Sequence, residues 1–330
     1  MARYIARRVV AALVLVAVVS SGALLLTRLA PGDFASELFG SGASAEAIAR
    51  ERATYGLDRP IGSQYLTWLG RAARFDFGVS LIYHRPVAEL VRQRALNTSI
   101  LALAALLLAT ALGLPAGIVT GSRRRGLLPS IIRAASIVLL SLPSLITSLV
   151  LVLVAARTGW LPTGGMQSAG ASEAGALAGL ADLVRHLPLP SLAIALPLAA
   201  MIERVQSQAL GETLAMPFAR ATLARGVSFR RLVWRDALRP SVGPVAAMYG
   251  FILGSLLSGS FVVEVITSWP GLGRLMYDAL RARDLFLVAG CAAAGSFFLA
   301  AGALVSDLLQ AWADPRLRQR EADDFKGAAA

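Results

Sequence analysis

Residues 217–240 read PFARATLARGVSFRRLVWRDALRP, with arginines at 220, 225, 230, 231, 235 and 239. The stretch lies between two strongly apolar segments, so it must leave any membrane those segments enter. Pro217 suits the first turn of a helix, where its missing N–H is no loss. Good helix formers then run to Gly226, the only glycine in the stretch. A glycine suits the position just past a helix end, where the chain turns with positive φ. Ser228 suits the N-cap of a second short helix, which Pro240 is expected to close. The local chemistry therefore predicts helix, glycine elbow, helix, with a strongly basic surface.

Outward from this stretch the chain is apolar. It has 330 residues, 56% of them hydrophobic, and a mean hydropathy of +0.64. Soluble domains are about 45–50% apolar. Five segments are long enough to cross a bilayer, and a sixth is interrupted by prolines. A polytopic, all-α membrane protein follows, because the backbone must satisfy its own hydrogen bonds in lipid. A net charge of +12 would suggest nucleic acid in a soluble protein. Here it reads as membrane topology, and no nucleic-acid partner is expected.

The spans can be placed in order. The first runs from Val9 to Leu26 and lacks a strong cleavage site, so it is read as an uncleaved span. Residues 30–95 are polar and have the character of an external segment of short helices and glycine turns. The second span runs from about Leu96 to Gly121, with Asn97-Thr98 as a helix-start signal. The third, from Ile131 to Ala156, is expected to kink at Pro143. Residues 157–187 are rich in Gly and Ala and lie outside. The fourth starts near Leu187; Pro188, Pro190 and Pro197 predict an irregular segment. The fifth runs from Val242 to Val263 and the sixth from Leu285 to Trp312. By residue ranges, 1–29 hold the N-terminus and first helix, 30–95 the external segment, and 96–320 the membrane core. Within that core 205–240 is the polar loop, and 321–330 form a polar tail.

The 217–240 stretch resembles the "EAA" coupling loop of permeases in binding-protein-dependent ABC importers, specifically the dipeptide/oligopeptide/nickel permease family. Arg220, Ala224, Arg225 and Gly226 stand where that family reads Arg…Ala-Lys-Gly, and Ala237, Leu238 and Arg239 match its following helix. Pro217, Phe218, Leu223, Asp236 and Pro240 depart from its pattern but leave the elbow intact. Other pieces agree in order: Pro31-Gly32-Asp33; Tyr55-Gly56-Leu57-Asp58-Arg59-Pro60; Phe75-Asp76-Phe77-Gly78-Val79-Ser80; Gly159-Trp160-Leu161-Pro162; Pro270-Gly271-Leu272-Gly273; and Arg283-Asp284. The likeness runs from Pro31 to Arg316.

The resemblance implies six transmembrane helices of the ABC importer permease type with a cytoplasmic coupling loop, in a bacterial inner membrane. It implies a second homologous permease subunit, two ATPase subunits and an external solute-binding protein. ATP and Mg would be bound by the ATPase subunits, not by this chain. Phe218, Arg220, Ala224, Arg225, Gly226, Arg230 and Arg231 become the candidate ATPase-coupling residues. Look-alike permeases carry peptides, nickel chelates, glutathione-like compounds and some sugars.

The residues themselves agree with a passive role. No phosphate loop exists, because Lys326 is the only lysine and is followed by Gly-Ala. No Ser-His-Asp arrangement, HExxH pattern or cysteine pair is present, so no catalytic set is expected. His84 and His186 are too far apart in sequence for a metal-site spacing. Cys291 is alone in an apolar segment and reads as a packing residue. Ser141, Ser144 and Thr147 in the third span, with Ser258 in the fifth, could line a polar path; Ser148 belongs with them. The alternative is that these hydroxyls bond back to their own helix. Gly250, Gly254 and Ser258 form a small-residue row for close packing, within the chain or against a second permease. Glu203-Arg204 reads as interfacial, and Asp307 is ambiguous in the same way.

Short-loop arginines settle an expected orientation. Arg3, Arg7, Arg8, Arg123, Arg124, Arg125, Arg133 and the 217–240 arginines outweigh Arg157, Arg185, Arg274, Arg281 and Arg283, which puts both termini in the cytoplasm. The rival class is an autonomous secondary transporter or channel. It would need coupling-ion charges near the membrane midplane, and the spans are nearly free of them.

Overall fold

The computed structural model describes residues 2–30, 32, 34–35, 45–54, 58, 60–123, 125–171 and 175–313. The long elements are all helices. Among the described residues the β pairing is one isolated antiparallel bridge, Val79 to Pro86. The chain is an all-α polytopic membrane protein. Among the described residues four helices are long and apolar enough to cross a membrane, and the number rises to six if each of two bent helix pairs is one span.

The first compact unit comprises residues 1–100 and 257–300. It holds α1 (Ala2–Leu29), α2 (Ala45–Thr54), α3 (Ile61–Ala72) and the start of α4 (Val87–Ser122). It also holds α13 (Phe261–Ile266), α14 (Leu272–Arg281) and the first half of α15 (Leu285–Ala313). Its core joins Val87 and Leu90 of α4 to Leu272, Leu275 and Ala279 of α14 and to Leu287, Val288 and Cys291 of α15. Cys291 is thus the packing residue expected of it.

Two buried carboxylates tie this unit together. Asp284 accepts bonds from Ser80 Oγ (2.7 Å) and from the amides of Leu81 (2.6 Å), Ile82 (3.2 Å) and Leu287 (3.1 Å). It pins the turn before α4 to the start of α15. Glu264 accepts bonds from Thr98 Oγ1 (2.8 Å) and Ser260 Oγ (2.6 Å). It also takes the amides of Gly273 (2.7 Å) and Arg274 (3.2 Å) in the first turn of α14, where a helix leaves N–H groups without intrahelical partners. Asn97-Thr98 is therefore not a helix start. α4 begins ten residues earlier, at Val87, and both side chains reach sideways: Asn97 Nδ2 donates to the Pro270 carbonyl at 2.8 Å.

Of the sequence motifs in residues 30–80, Pro31, Asp33, Tyr55, Gly56, Leu57 and Arg59 lie outside the described residues. The Phe75–Ser80 piece forms a tight turn. Phe75 and Gly78 both have positive φ, and Asp76 Oδ1 accepts the Gly78 amide at 2.9 Å.

The second unit comprises residues 101–256 and 301–330. After the rest of α4 come α5 (Leu127–Ser141), α6 (Ser144–Thr158), α7 (Ala176–His186) and α8 (Pro188–Ala215). The third span does not kink at Pro143; it breaks, with α5 and α6 meeting at 108°. Leu142 precedes a proline and is forced extended (ψ 123°), and Pro143 follows it (ψ 143°). The fourth span is not irregular. α8 is one helix of 28 residues. Pro188 and Pro190 fall in its first turn, where no intrahelical donor is lost. Pro197 costs an interior bond, and tight packing offsets it: Ala193, Ala195, Ala199 and Ile202 around it are buried.

That packing depends on a glycine row on α4. A Cβ at Gly113 would lie 2.5 Å from the Ala199 carbonyl oxygen. One at Gly117 would lie 2.6 Å from Gln206 Cβ, and one at Gly121 2.7 Å from the Ser207 carbonyl oxygen. The backbones touch because nothing stands between them. Thr120 Oγ1 donates to the buried Glu203 carboxylate at 2.5 Å within the same contact, so Glu203 is held in the protein interior. In the α7 segment, Asp182 accepts the Ser168 amide at 2.6 Å and the Ser168 hydroxyl at 2.9 Å. The Ser168 amide bond is the main reason its carboxyl sits below the usual range.

Candidate functional site

The 217–240 stretch forms α9 (Pro217–Ala224), then α10 (Phe229–Arg231), a π-helical segment π1 (Leu232–Ala237) and α11 (Leu238–Ser241). Pro217 occupies the first turn of α9, as its chemistry requires. Gly226 has φ +81°. The amide of Gly226 bonds the Leu223 carbonyl (2.9 Å) and that of Val227 bonds the Thr222 carbonyl (3.4 Å). These are the two bonds of a Schellman C-cap, which needs a left-handed residue at Gly226. Space around that glycine is open, with nothing within 4 Å of a would-be Cβ. Backbone conformation alone selects glycine there.

Two expectations for the second half change. Ser228 is the N-cap residue of α10 but its side chain makes no capping bond. Pro240 does not close the helix; it lies inside α11. The preceding residues widen into π1, and the wider turn accommodates a proline that supplies no N–H. One residue, Val242, then links α11 to α12 (Gly243–Gly259), with a 46° bend at the joint. At the other end Met216 alone links α8 to α9.

The segment is anchored from beneath. Leu232, Val233 and Ala237 are buried, and the last two form a cluster with Leu210 of α8 and Ile118 of α4. Ala219 and Thr222 are the buried residues of α9. Gln206 Nε2 donates to Ser241 Oγ at 2.9 Å, which ties α8 to α11. The opposite face is open: Phe218, Arg220, Ala224, Arg225, Gly226, Arg230 and Arg231 are all exposed. Arg225 is steadied by a 3.2 Å bond to Thr222 Oγ1. Ser228, Arg230, Arg231 and Trp234 line an open groove of about 580 Å³. Trp234, 58% exposed, was not singled out from sequence. Its signal was available: a large apolar side chain among arginines in a segment outside the bilayer.

The hydroxyls of the third span do not converge. Ser141 donates to the Ile137 carbonyl (2.8 Å). Thr147 reaches the Pro143 carbonyl (3.4 Å) and Ser148 the Ser144 carbonyl (2.6 Å). They bond back to their own helices, the alternative weighed from sequence. Ser144 is exposed at the start of α6. The side chains of Ser258 and Asp307 lie outside the described residues. In the small-residue row, Gly250 faces Ser306 and Gly254 faces Gly302, and a Cβ at Gly250 or Gly302 would run into the facing backbone. That row packs α12 against α15 within the chain.

Known proteins match along the whole length. Residues 113–319 match the family described as binding-protein-dependent transport system inner membrane component, and residues 1–99 match its N-terminal membrane-component family. The chain is 30% identical over 319 residues to the oligopeptide transport system permease protein AppB of Bacillus subtilis, covering 96% of this chain and 99% of the relative. It is also 30% identical over 321 residues to the glutathione transport system permease protein GsiC of Escherichia coli K12, covering 97% and 100%.

Proposed function

The chain belongs to the inner-membrane component family of binding-protein-dependent transport systems, and we propose from that membership how its exposed segment works. It is a multi-pass inner-membrane permease subunit of an ABC importer. In our reading it pairs with a second, homologous permease, and the translocation path for a peptide or glutathione-like solute runs between the two. Two ATPase subunits bind ATP and Mg, and an external binding protein delivers the cargo. Both termini face the cytoplasm, on the arginine bias of the short loops.

One observation carries the coupling role. The exposed helix–elbow–helix is joined to an apolar helix at each end through a single residue, Met216 on one side and Val242 on the other. A displacement of α9 or α10 cannot be absorbed in slack chain; it passes into α8 and α12. The Schellman elbow and the Leu232–Val233–Ala237 anchor keep the segment stiff. Phe218, Arg220, Ala224, Arg225, Gly226, Arg230 and Arg231 would meet an acidic groove on the ATPase, and closure of the ATPase pair on ATP would swing both helices.

The test separates docking from folding. Gly226→Val forces a β-branched residue into left-handed backbone at roughly 1–2 kcal/mol, far from the spans. Arg225→Glu reverses charge on the exposed face. Both variants should insert normally and lose co-purification of the ATPase subunits and transport in vesicles. Arg318→Glu in the tail should do neither. Wild-type assembly and transport in both variants would reduce the segment to a basic loop.

A further inference from the structure

The segment between the third and fourth spans holds a helix turned inside out. α7 carries Leu177, Leu180, Ala181 and Val184 at the i, i+3, i+4, i+7 spacing of one helix face. All four are exposed, Leu177 to 85%, Leu180 to 57% and Val184 to 59%. The opposite, polar side is the one held by protein. Asp182 takes the amide and the hydroxyl of Ser168. Buried His186 donates from Nδ1 to the Asp182 carbonyl at 2.8 Å, and Gln167 Nε2 donates to the Gly179 carbonyl at 3.4 Å. A helix lying on a protein in water does the reverse and turns its apolar stripe to the core.

Chain length sets the depth at which α7 lies. α8 has 28 residues, about 42 Å at the α-helical rise. A bilayer with its headgroups is about 40–45 Å thick, so a crossing helix of this length ends at headgroup level on both sides. Leu187 alone separates α7 from α8. The last turn of α7 therefore lies at headgroup level, on the side opposite the coupling segment. The other end of the segment agrees. α6 belongs to a bent pair apolar enough to cross a membrane. It exposes Leu149, Val150, Leu153 and Val154 and ends at Gly159, which has φ +67°. Trp160 follows and is 80% exposed. Tryptophan at the end of a span suits a membrane–water interface, with one side of its ring apolar and one wet. Arg185 is exposed on the flank of the α7 stripe, where its methylenes can lie beside lipid and its charge in water.

We propose that α7 is an interfacial helix, lying in the headgroup region with Leu177, Leu180, Ala181 and Val184 sunk among lipid acyl chains. Helices of this kind bury their apolar face about 5–10 Å into the headgroup–acyl boundary. Water would leave three large apolar side chains bare. A protein partner would cover them, but the depth of the α8 start and the exposed Trp160 at the end of α6 place the stripe against lipid. The attraction is apolar, so it needs no particular headgroup charge. On the coupling reading above, such an anchor holds one end of α8 while the coupling segment moves the other.

The experiment reads depth by spin labelling. The transporter, purified with its partner subunits and with Cys291→Ala as background, is placed in phosphatidylcholine nanodiscs. Single variants Leu177→Cys, Leu180→Cys, Val184→Cys and Ala169→Cys carry a nitroxide. All four positions are exposed, so the label needs no repacking. Collisions with oxygen, which concentrates in acyl chains, are compared with collisions with a water-soluble paramagnetic chelate. The three stripe labels should favour oxygen. Ala169 lies beside Ser168, on the loop tied to the polar face, and its label should favour the chelate. Stripe labels that favour the chelate as Ala169 does would put the stripe in water and overturn the proposal. Stripe labels shielded from both reagents would show a protein partner over α7 and overturn it as well. The measurement reads α7 whether or not the ATPase subunits remain bound, so its failure is distinct from a failure of the coupling reading.

Discussion

Glu264 has no exposed surface, and its two oxygens accept two hydroxyl and two amide donors from α4, Ser260 and α14. Each donor would be orphaned in the interior without it. An unsatisfied buried group costs about 1–3 kcal/mol. Glu264→Ala should therefore lower stability by about 3 kcal/mol or more, read as a fall in the thermal midpoint in detergent. Glu264→Gln should fall between: its oxygen still serves the hydroxyls, while its amide opposes the Gly273 and Arg274 N–H groups. A midpoint unchanged in both variants would mean that the four bonds do not hold α14. The contrast with Gly226 is instructive. That glycine touches nothing, and its requirement is wholly conformational. Gly226→Val should thus lower the same midpoint less than Glu264→Ala does, by the roughly 1–2 kcal/mol of left-handed strain alone, while abolishing coupling.

Helix pairing supplies the next level. α4 and α8 approach backbone to backbone along Gly113, Gly117 and Gly121. Gly117→Val would set its side chain within 2.8 Å of the Glu203 carbonyl oxygen, with no flexible end to move aside. Overpacking of this kind costs about 1–3 kcal/mol, and it would also part Thr120 from Glu203. The variant should express poorly and unfold at lower temperature, whereas Gly70→Ala, at an open helical position, should not. Equal behaviour of the two would show that α4 and α8 tolerate separation. The same elements explain why α8 stays helical through Pro197: a bond lost to proline is smaller than the apolar contact with α4 and Val245 that a straight helix makes.

Across the whole molecule the arginine bias predicts an orientation that can be measured. In a Cys291→Ala background, single cysteines at Ser41 and Ser122 should differ toward an impermeant thiol reagent in intact cells. Ser41 should label and Ser122 should not. Labelling at Ser122 would invert the arrangement and remove the coupling segment from the ATPase side. The apolar spans, the polar interruptions and the elbow were legible in the sequence. Each depends on local quantities: apolar length against bilayer thickness, the φ preference of glycine, and proline in a first turn. Long-range partners were not legible. Asn97-Thr98 reads locally as a helix start, yet both side chains serve Pro270 and Glu264, more than 160 positions away. Pro143 announces a disturbance, but only the packing of α5 and α6 against α8 sets the break at 108°. Pro240 reads as a stop, and a π turn anchored by Leu232, Val233 and Ala237 carries the helix past it. Local chemistry determined which elements exist. Their bounds and bends were decided by side chains distant in sequence, because a buried donor or a close backbone contact outweighs the few tenths of a kcal/mol, about, by which intrinsic propensities differ.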